Sequence, residues 1–407
     1  MRPLDGIRVL DFSHALAGPY CTMLMAQYGA EIYKIESPEG EIGRTWGPPF
    51  TGEDSSFFLG VNTGKRSLAI DLKKPEAVAL CLDLIEQVDV LIENMRPGTL
   101  ERLGLGYEAA RARNPRLIYC SVSGYGQNGP SRDEPAMDLI LQGSSGLISI
   151  TGVEGGERVR CGHSVADITA GMFALTGILL ALEARHRTGA GQFVDVSMLD
   201  AMISAMSSNF AYFTGSGVVP EPFGTRFGSI VPYRGFSASD RDLVIAVSSP
   251  KLWTEFCAAI ERPDLASDPR YASNRLRVAN RDQLEPLIAE IFRSNTCAYW
   301  IEKLRAHGIP CTPVRTFDEV VADPQTAHRQ MFPTIDGFEV TGTPVKFSAT
   351  PGSVDRRAPR LGEHSEEVLK ELLEMDDAAI DHLLRSKIVH AGSTKDSHST
   401  VPASSRP

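Results

Sequence analysis

Over its first two hundred residues the chain alternates short β-branched or apolar runs with stretches of helical period, and this rhythm restricts the fold more than any other feature. Strands are predicted at residues 7–12, 31–35, 67–72, 88–93, 117–122 and 193–197, with helices at 18–28, 75–87 and 99–103. Strand, helix, strand in succession closes through right-handed crossovers, so the expected fold class is α/β with a mostly parallel sheet. In the 75–87 helix Val78, Leu80, Cys81, Leu84 and Ile85 recur at helical spacing and supply one face to lay on that sheet.

Residues 164–187 read as one long helix, apolar all round in its middle, which must be covered on every side. Its uncharged apolar stretch, 168–182, is shorter than the roughly 18 to 20 residues that cross hydrocarbon, so a buried central helix is expected and no membrane contact. Another helix begins at 199, and residues 214–232 are rich in Gly and Pro, which marks a hinge. The expected division is a large domain at 1–198, a linker at 199–235, a smaller α+β domain at 236–316 and a return linker at 317–358. In the smaller domain a strand at 243–247, helices at 251–260, 281–293 and 299–307, and a strand at 312–315 are predicted. Helices at 365–375 and 378–387 precede a Ser-, Thr- and Pro-rich stretch, 390–407, expected to be a disordered tail.

The formal charge of -10 argues against a nucleic-acid coat or a polybasic membrane anchor, so an anionic ligand needs local cations. Seven scattered cysteines, without a C-x-x-C pair, favour neither a disulfide framework nor a metal site. Met1 runs straight into a charged turn with no apolar secretory region, so a cytoplasmic protein is expected.

Gly124-Tyr125-Gly126-Gln127-Asn128-Gly129 matches the G-x-G-x-x-G dinucleotide pattern after a predicted strand, but residues 130–135 form a turn where that motif needs a helix. A ligand-contacting loop at a strand's carboxyl end remains. Lys34, Lys65, Arg66, Lys73, Arg96 and Arg102 fall at or near strand ends, where they either converge on phosphates or stand as solvated surface charges. Asp167 directly precedes the most apolar segment. Ser164-x-x-Asp167 has the spacing of a capping box, and the same carboxylate at the edge of an apolar pocket has the chemistry of a nucleophile; composition leaves both readings open. His14 and His163 lie near these loops without a catalytic pattern, and no G-x-S-x-G elbow is present.

Residues 3–12, Leu16-Ala17-Gly18-Pro19, Lys34-Ile35-Glu36, Asn62-x-x-Lys65-Arg66-Ser67, residues 93–98, Gly124-Tyr125-Gly126, Thr188-Gly189-x-Gly191-Gln192 and Leu361-Gly362-Glu363-His364, in that order, resemble the family III CoA-transferases across nearly the whole chain. The resemblance implies a Rossmann-like large domain completed by C-terminal helices at 359–389, and subunits interlocked as rings in a homodimer. It implies acyl-CoA as substrate, with no permanently bound cofactor and no metal. The family's nucleophilic aspartate matches Asp167, and its CoA contacts match His14, Leu16, Ala17, Lys73, Asn94, Met95, Arg96, Arg102 and Leu103.

Residues 43–50 and 228–233 look most like the branch that moves CoA from succinyl-CoA to a dicarboxylate. The free distal carboxylate of such a substrate needs a cation, for which Arg44, Arg226 and Arg234 are candidates, with backbone amides around Gly228-Ser229 or Ala17-Gly18 as oxyanion donors. The α-methylacyl-CoA racemases of the same superfamily place a proton-carrying histidine where Met137 stands here, which argues against that alternative. A non-catalytic CoA-binding module is the alternative from another class.

Overall fold

The computed structural model describes residues 1–392 and falls into two units. The larger takes Met1–Ser145, Cys161–Ser216 and the chain from Gln325; the smaller takes Gly146–Arg160 and Gly217–Pro324. The helices Met198–Ala205 and Ser207–Ser216, expected in a linker, therefore belong with the larger unit. The smaller unit gathers in residues 146–160 because Gly152 bridges Arg158 and its carbonyl accepts the Gly224 amide at 2.8 Å.

In the larger unit the strands are β1 (Arg8–Asp11), β2 (Glu31–Glu36), β3 (Lys65–Ile70), β4 (Val90–Glu93), β5 (Ile118–Ser123) and β6 (Gln192–Ser197). They lie side by side in the order β3-β2-β1-β4-β5-β6, all parallel. Their near-continuous apolar runs, such as Val9-Leu10 and Val90-Leu91-Ile92, are buried on both faces, as a helix-covered parallel sheet demands. The helix α1 (Ala17–Gln27) follows β1, and α2 (Pro75–Glu86) buries Ala77, Leu80, Cys81, Leu84 and Ile85 in the main core. The mixed α/β class with a dominant parallel sheet is as expected. One element was not: Val389–His390 adds a seventh, antiparallel strand along β3, where a disordered tail was expected from residue 390. The remainder of that expected tail, from residue 393, lies outside the described residues.

Two further helices complete the site, α3 (Asp138–Ser144) and α4 (Val165–Thr188). At 24 residues α4 has the length and hydropathy of a membrane span, more than its 15-residue apolar centre suggested. Ala166, Ala170, Gly171, Ala174, Ile178 and Leu182 form a stripe of mostly small residues, buried against α1 and the sheet. Contrary to expectation, α4 is not covered on every side, since Met172, Phe173, Leu179 and Leu180 remain exposed.

The smaller unit pairs Tyr233–Ser237, Asp242–Ala246 and Cys311–Pro313 in an antiparallel sheet with helices Pro250–Ala259, Arg281–Arg293 and Cys297–Ala306. Its core holds Phe236, Trp253, Phe256, Phe292 and Trp300.

Candidate active site

From β1 the chain builds outward through β2 to β3, then returns to the other side of β1 with β4. The reversal falls between β1 and β4, and in open α/β sheets ligands bind at the carboxyl ends of the strands flanking such a point. The two loops there are 12–16 and 94–98. They are tied together reciprocally: the His14 amide donates to Asn94 Oδ1 at 2.7 Å, and Asn94 Nδ2 donates to the His14 carbonyl at 2.8 Å. Of the residues singled out from sequence, His14, Leu16, Ala17, Asn94, Met95 and Arg96 are all brought to this edge.

Arg96 and Arg102 are exposed, and Arg102 donates to the Thr99 hydroxyl at 3.1 Å, while Met95 and Leu103 pack on the main core. Lys73 is exposed just beyond the carboxyl end of β3. Glu93, missed from sequence, accepts the Met95 amide at 2.8 Å and the Ser121 hydroxyl, and burial pushes its pKa up to about 7. Burial, reinforced by the Lys34 charge, lowers that of His14.

The other cations named from sequence have partners. Lys65 lies 3.1 Å from Asp11, Lys34 lies 3.5 Å from Glu41, and Arg66 reaches Glu367 and Glu371, each at 2.8 Å. Burial opposes ionisation of Asp11, but Lys65 and Lys34 outweigh it and hold its pKa below the ordinary value. Arg44 is buried, with Glu36 and Asp54 each at 2.7 Å. To hold an acyl tail it would have to leave both, which weighs against that role.

Asp167 sits in the first turn of α4, and the capping box its spacing suggested does not form: Ser164 makes no side-chain cap. The helix end is served from α3 instead. Asp138 Oδ1 accepts the Ala166 amide at 2.9 Å, and its other oxygen is held by Gln142 Nε2 at 2.7 Å. Gln142 also accepts the Cys161 amide at 2.8 Å. Asp138 and Gln142 stand four residues apart on one helix face, a spacing legible in sequence but silent about its target.

The Asp167 carboxylate makes no hydrogen bond among the described residues, and burial, reinforced by the Asp138 charge, pushes its pKa up to about 7. One turn further on, a Cβ on Gly171 would lie 2.6 Å from the Ala17 carbonyl, so α4 crosses the beginning of α1 at closest approach. Asp167 lies one turn before this crossing, on the same helix.

A carboxylate is nucleophilic only when ionised, so any chemistry that used Asp167 as a nucleophile should lose about tenfold in rate per pH unit below pH 7. Asp138→Asn keeps an acceptor for Ala166 and deletes the neighbouring charge, so the acid limb should move to lower pH. NMR of the Asp167 side-chain carboxyl carbon between pH 4 and 9 measures the titration behind that limb; a midpoint unmoved in Asp138→Asn would refute the electrostatic coupling.

Gly228, Ser229, Arg226 and Arg234 belong to the smaller unit. Arg226 and Arg234 share Glu285 Oε2, at 2.7 and 2.6 Å, and Arg226 reaches Glu154 at 3.1 Å. The loop is fixed by its carbonyls, Gly228 O accepting from Arg281 at 2.5 Å and Ser229 O from Asn274 at 2.7 Å.

Fold and site together define an α/β protein with a switch-point binding edge beside one uncommitted carboxylate. Comparison with known proteins then identifies the line of descent. A family model described as CoA-transferase family III matches residues 4–365. Succinyl-CoA:glutarate CoA-transferase of Mus musculus is 37% identical over 401 residues, covering 97% of this chain and 92% of that protein. Succinyl-CoA:mesaconate CoA-transferase of Haloarcula hispanica is 37% identical, covering 91% of this chain and 96% of that protein. A crystal structure of a CaiB/BaiF family protein from Brucella suis superposes with a TM-score of 0.85 at 35% identity, over 91% of this chain and 99% of that one. The chain belongs to CoA-transferase family III.

Proposed function

We propose that this enzyme moves CoA from succinyl-CoA to a dicarboxylate through an aspartyl-CoA thioester on Asp167. The observation that carries the reading is the carboxylate of Asp167, partly buried and without a hydrogen bond among the described residues, one turn before α4 crosses the start of α1. An Asp167 oxygen attacks the thioester carbonyl and the C–S bond breaks, giving a mixed anhydride and CoA thiolate. The thiolate attacks the aspartyl carbonyl and releases succinate, leaving Asp167 as its CoA thioester. The acceptor carboxylate attacks that carbonyl and expels the thiolate, which then takes the acceptor's acyl group and frees Asp167. No net proton, ATP or resident cofactor enters the cycle.

In this reading His14, Leu16, Ala17, Lys73, Asn94, Met95, Arg96, Arg102 and Leu103 hold CoA, the exposed cations meeting its phosphates. An interlocked homodimer is supported by the exposed Met172, Phe173, Leu179 and Leu180 on α4 and by Phe210 and Phe213 nearby in sequence. Sedimentation at twice 44.3 kDa is expected.

Relatives are named for glutarate, mesaconate and citramalate as acceptors with succinyl-CoA, and one from Acetobacter aceti for oxalate with acetyl-CoA. Purified enzyme offered succinyl-CoA and each of these acids should give the acceptor's CoA thioester with at least one dicarboxylate. Hydroxylamine should trap Asp167 during turnover. Transfer to none of them, with deuterium instead entering the α-carbon of an acyl-CoA, would replace this reading by the racemase one.

A further inference from the structure

Between Ser13 and Ala15 the loop joining β1 and α1 makes no backbone hydrogen bond to a neighbouring strand among the described residues; side chains hold it. Asp11 accepts the Ser13 amide at 2.9 Å and the Ser13 hydroxyl, and Lys34 Nζ donates to the Ser13 carbonyl at 2.7 Å. Asn94 satisfies both backbone groups of His14. Glu41 Oε2 accepts the Ala15 amide at 2.7 Å.

Ala15 has φ +62°, the left-handed region that a Cβ disfavours, so something must hold it there. Glu41 is 3% exposed, and its second oxygen, Oε1, has no hydrogen-bond partner and faces the fully buried Lys34 Nζ at 3.5 Å. Lys34 in turn grips Ser13, so the Glu41–Lys34 pair holds the loop at two points. Directly after Ala15 the amides of Leu16, Ala17 and Gly18 have no partner among the described residues. Gly18 leaves no room for a side chain against Ser13.

We propose that Glu41 is a positioning residue: by accepting the Ala15 amide it maintains the left-handed turn that sets the start of α1, and with it the Leu16–Ala17 backbone, for the acyl-CoA. The inference rests on the CoA-transferase reading and adds to it a residue outside the contacts assigned there.

Its test exploits the backbone. Glycine adopts φ > 0 without help, so Ala15→Gly should substitute for the lost hydrogen bond. Glu41→Ala is expected to lower kcat/KM for succinyl-CoA about 30-fold, as a misplaced binding loop does. Glu41→Gln, which keeps the acceptor, should stay within about threefold of wild type, and Glu41→Ala with Ala15→Gly should recover about tenfold. Hydrogen exchange of residues 12–18, read by mass spectrometry, should quicken in Glu41→Ala and slow again in the double variant.

A double variant no better than Glu41→Ala, exchange that does not respond, or Glu41→Gln as damaged as Glu41→Ala would each overturn the proposal. If Glu41→Ala does not fold, Glu41→Gln decides: a 30-fold loss there overturns it, and near-wild-type turnover with unchanged exchange supports it. The exchange measurement needs no turnover, so an absence of CoA transfer in the wild type would refute the reading of the enzyme while the loop data still judge Glu41.

Discussion

Asp167→Asn is expected to lower CoA transfer by roughly 10⁴-fold or more, the scale on which removal of a covalent nucleophile acts. Acyl-CoA binding should persist, because none of the CoA contacts assigned here lies on α4. The same variant carries a signed effect on stability. Folded Asp167 titrates near 7 against an ordinary 3.8, so the native state holds this proton more tightly than the unfolded chain. That contribution is complete below about pH 4 and is lost as pH rises through 7. Asparagine imitates the protonated form at every pH, so the variant should gain Tm over wild type at pH 8 and little below about pH 4. Calorimetry at the two values checks the sign; turnover near the wild-type rate would remove Asp167 from the chemistry.

The second large effect is expected at a residue with no reactive group. Gly171→Ala puts a methyl carbon 2.6 Å from the Ala17 carbonyl and 3.1 Å from the Tyr20 ring, and backbone does not yield as a side-chain tip does. Helix α4 must move off α1, carrying Asp167 away from the switch-point loop. A displacement approaching 1 Å costs on the order of 10²-fold in rate, and overpacking about 1–3 kcal/mol in stability. The check is kcat/KM alongside urea unfolding: a stable, fully active Gly171→Ala would show that the α1–α4 spacing does not set the geometry of Asp167.

How much of this was legible beforehand follows from the range of the interactions concerned. Periodicity is local, so β1 to β6 and α4 appear in the sequence almost at their true limits. The switch point belongs to the folded strand order, which pattern alone did not supply; His14 and Asn94 were found together only through the resemblance to the CoA-transferases. Asp138 could not be read the same way: its carboxylate serves a helix 28 residues further on. Sequence composition likewise presented Arg44, Lys34 and Lys65 as available cations, yet each is matched to a buried acid that only the folded sheet brings near. The capping box at Ser164 failed for the same reason, since a competing acceptor reached the helix end from α3.

The strand Val389–His390 gives the larger unit a particular history on the ribosome. It pairs with Ala69 and Ile70 of β3, and the Arg66 side chain beside it waits for Glu367 and Glu371, all some 300 or more residues further along the chain. Until some 320 further residues have emerged, β3 presents a bare hydrogen-bonding edge and an unneutralised guanidinium, the condition in which nascent chains pair wrongly. Protection of that edge until residue 389 has been made is the demand this topology sets during translation.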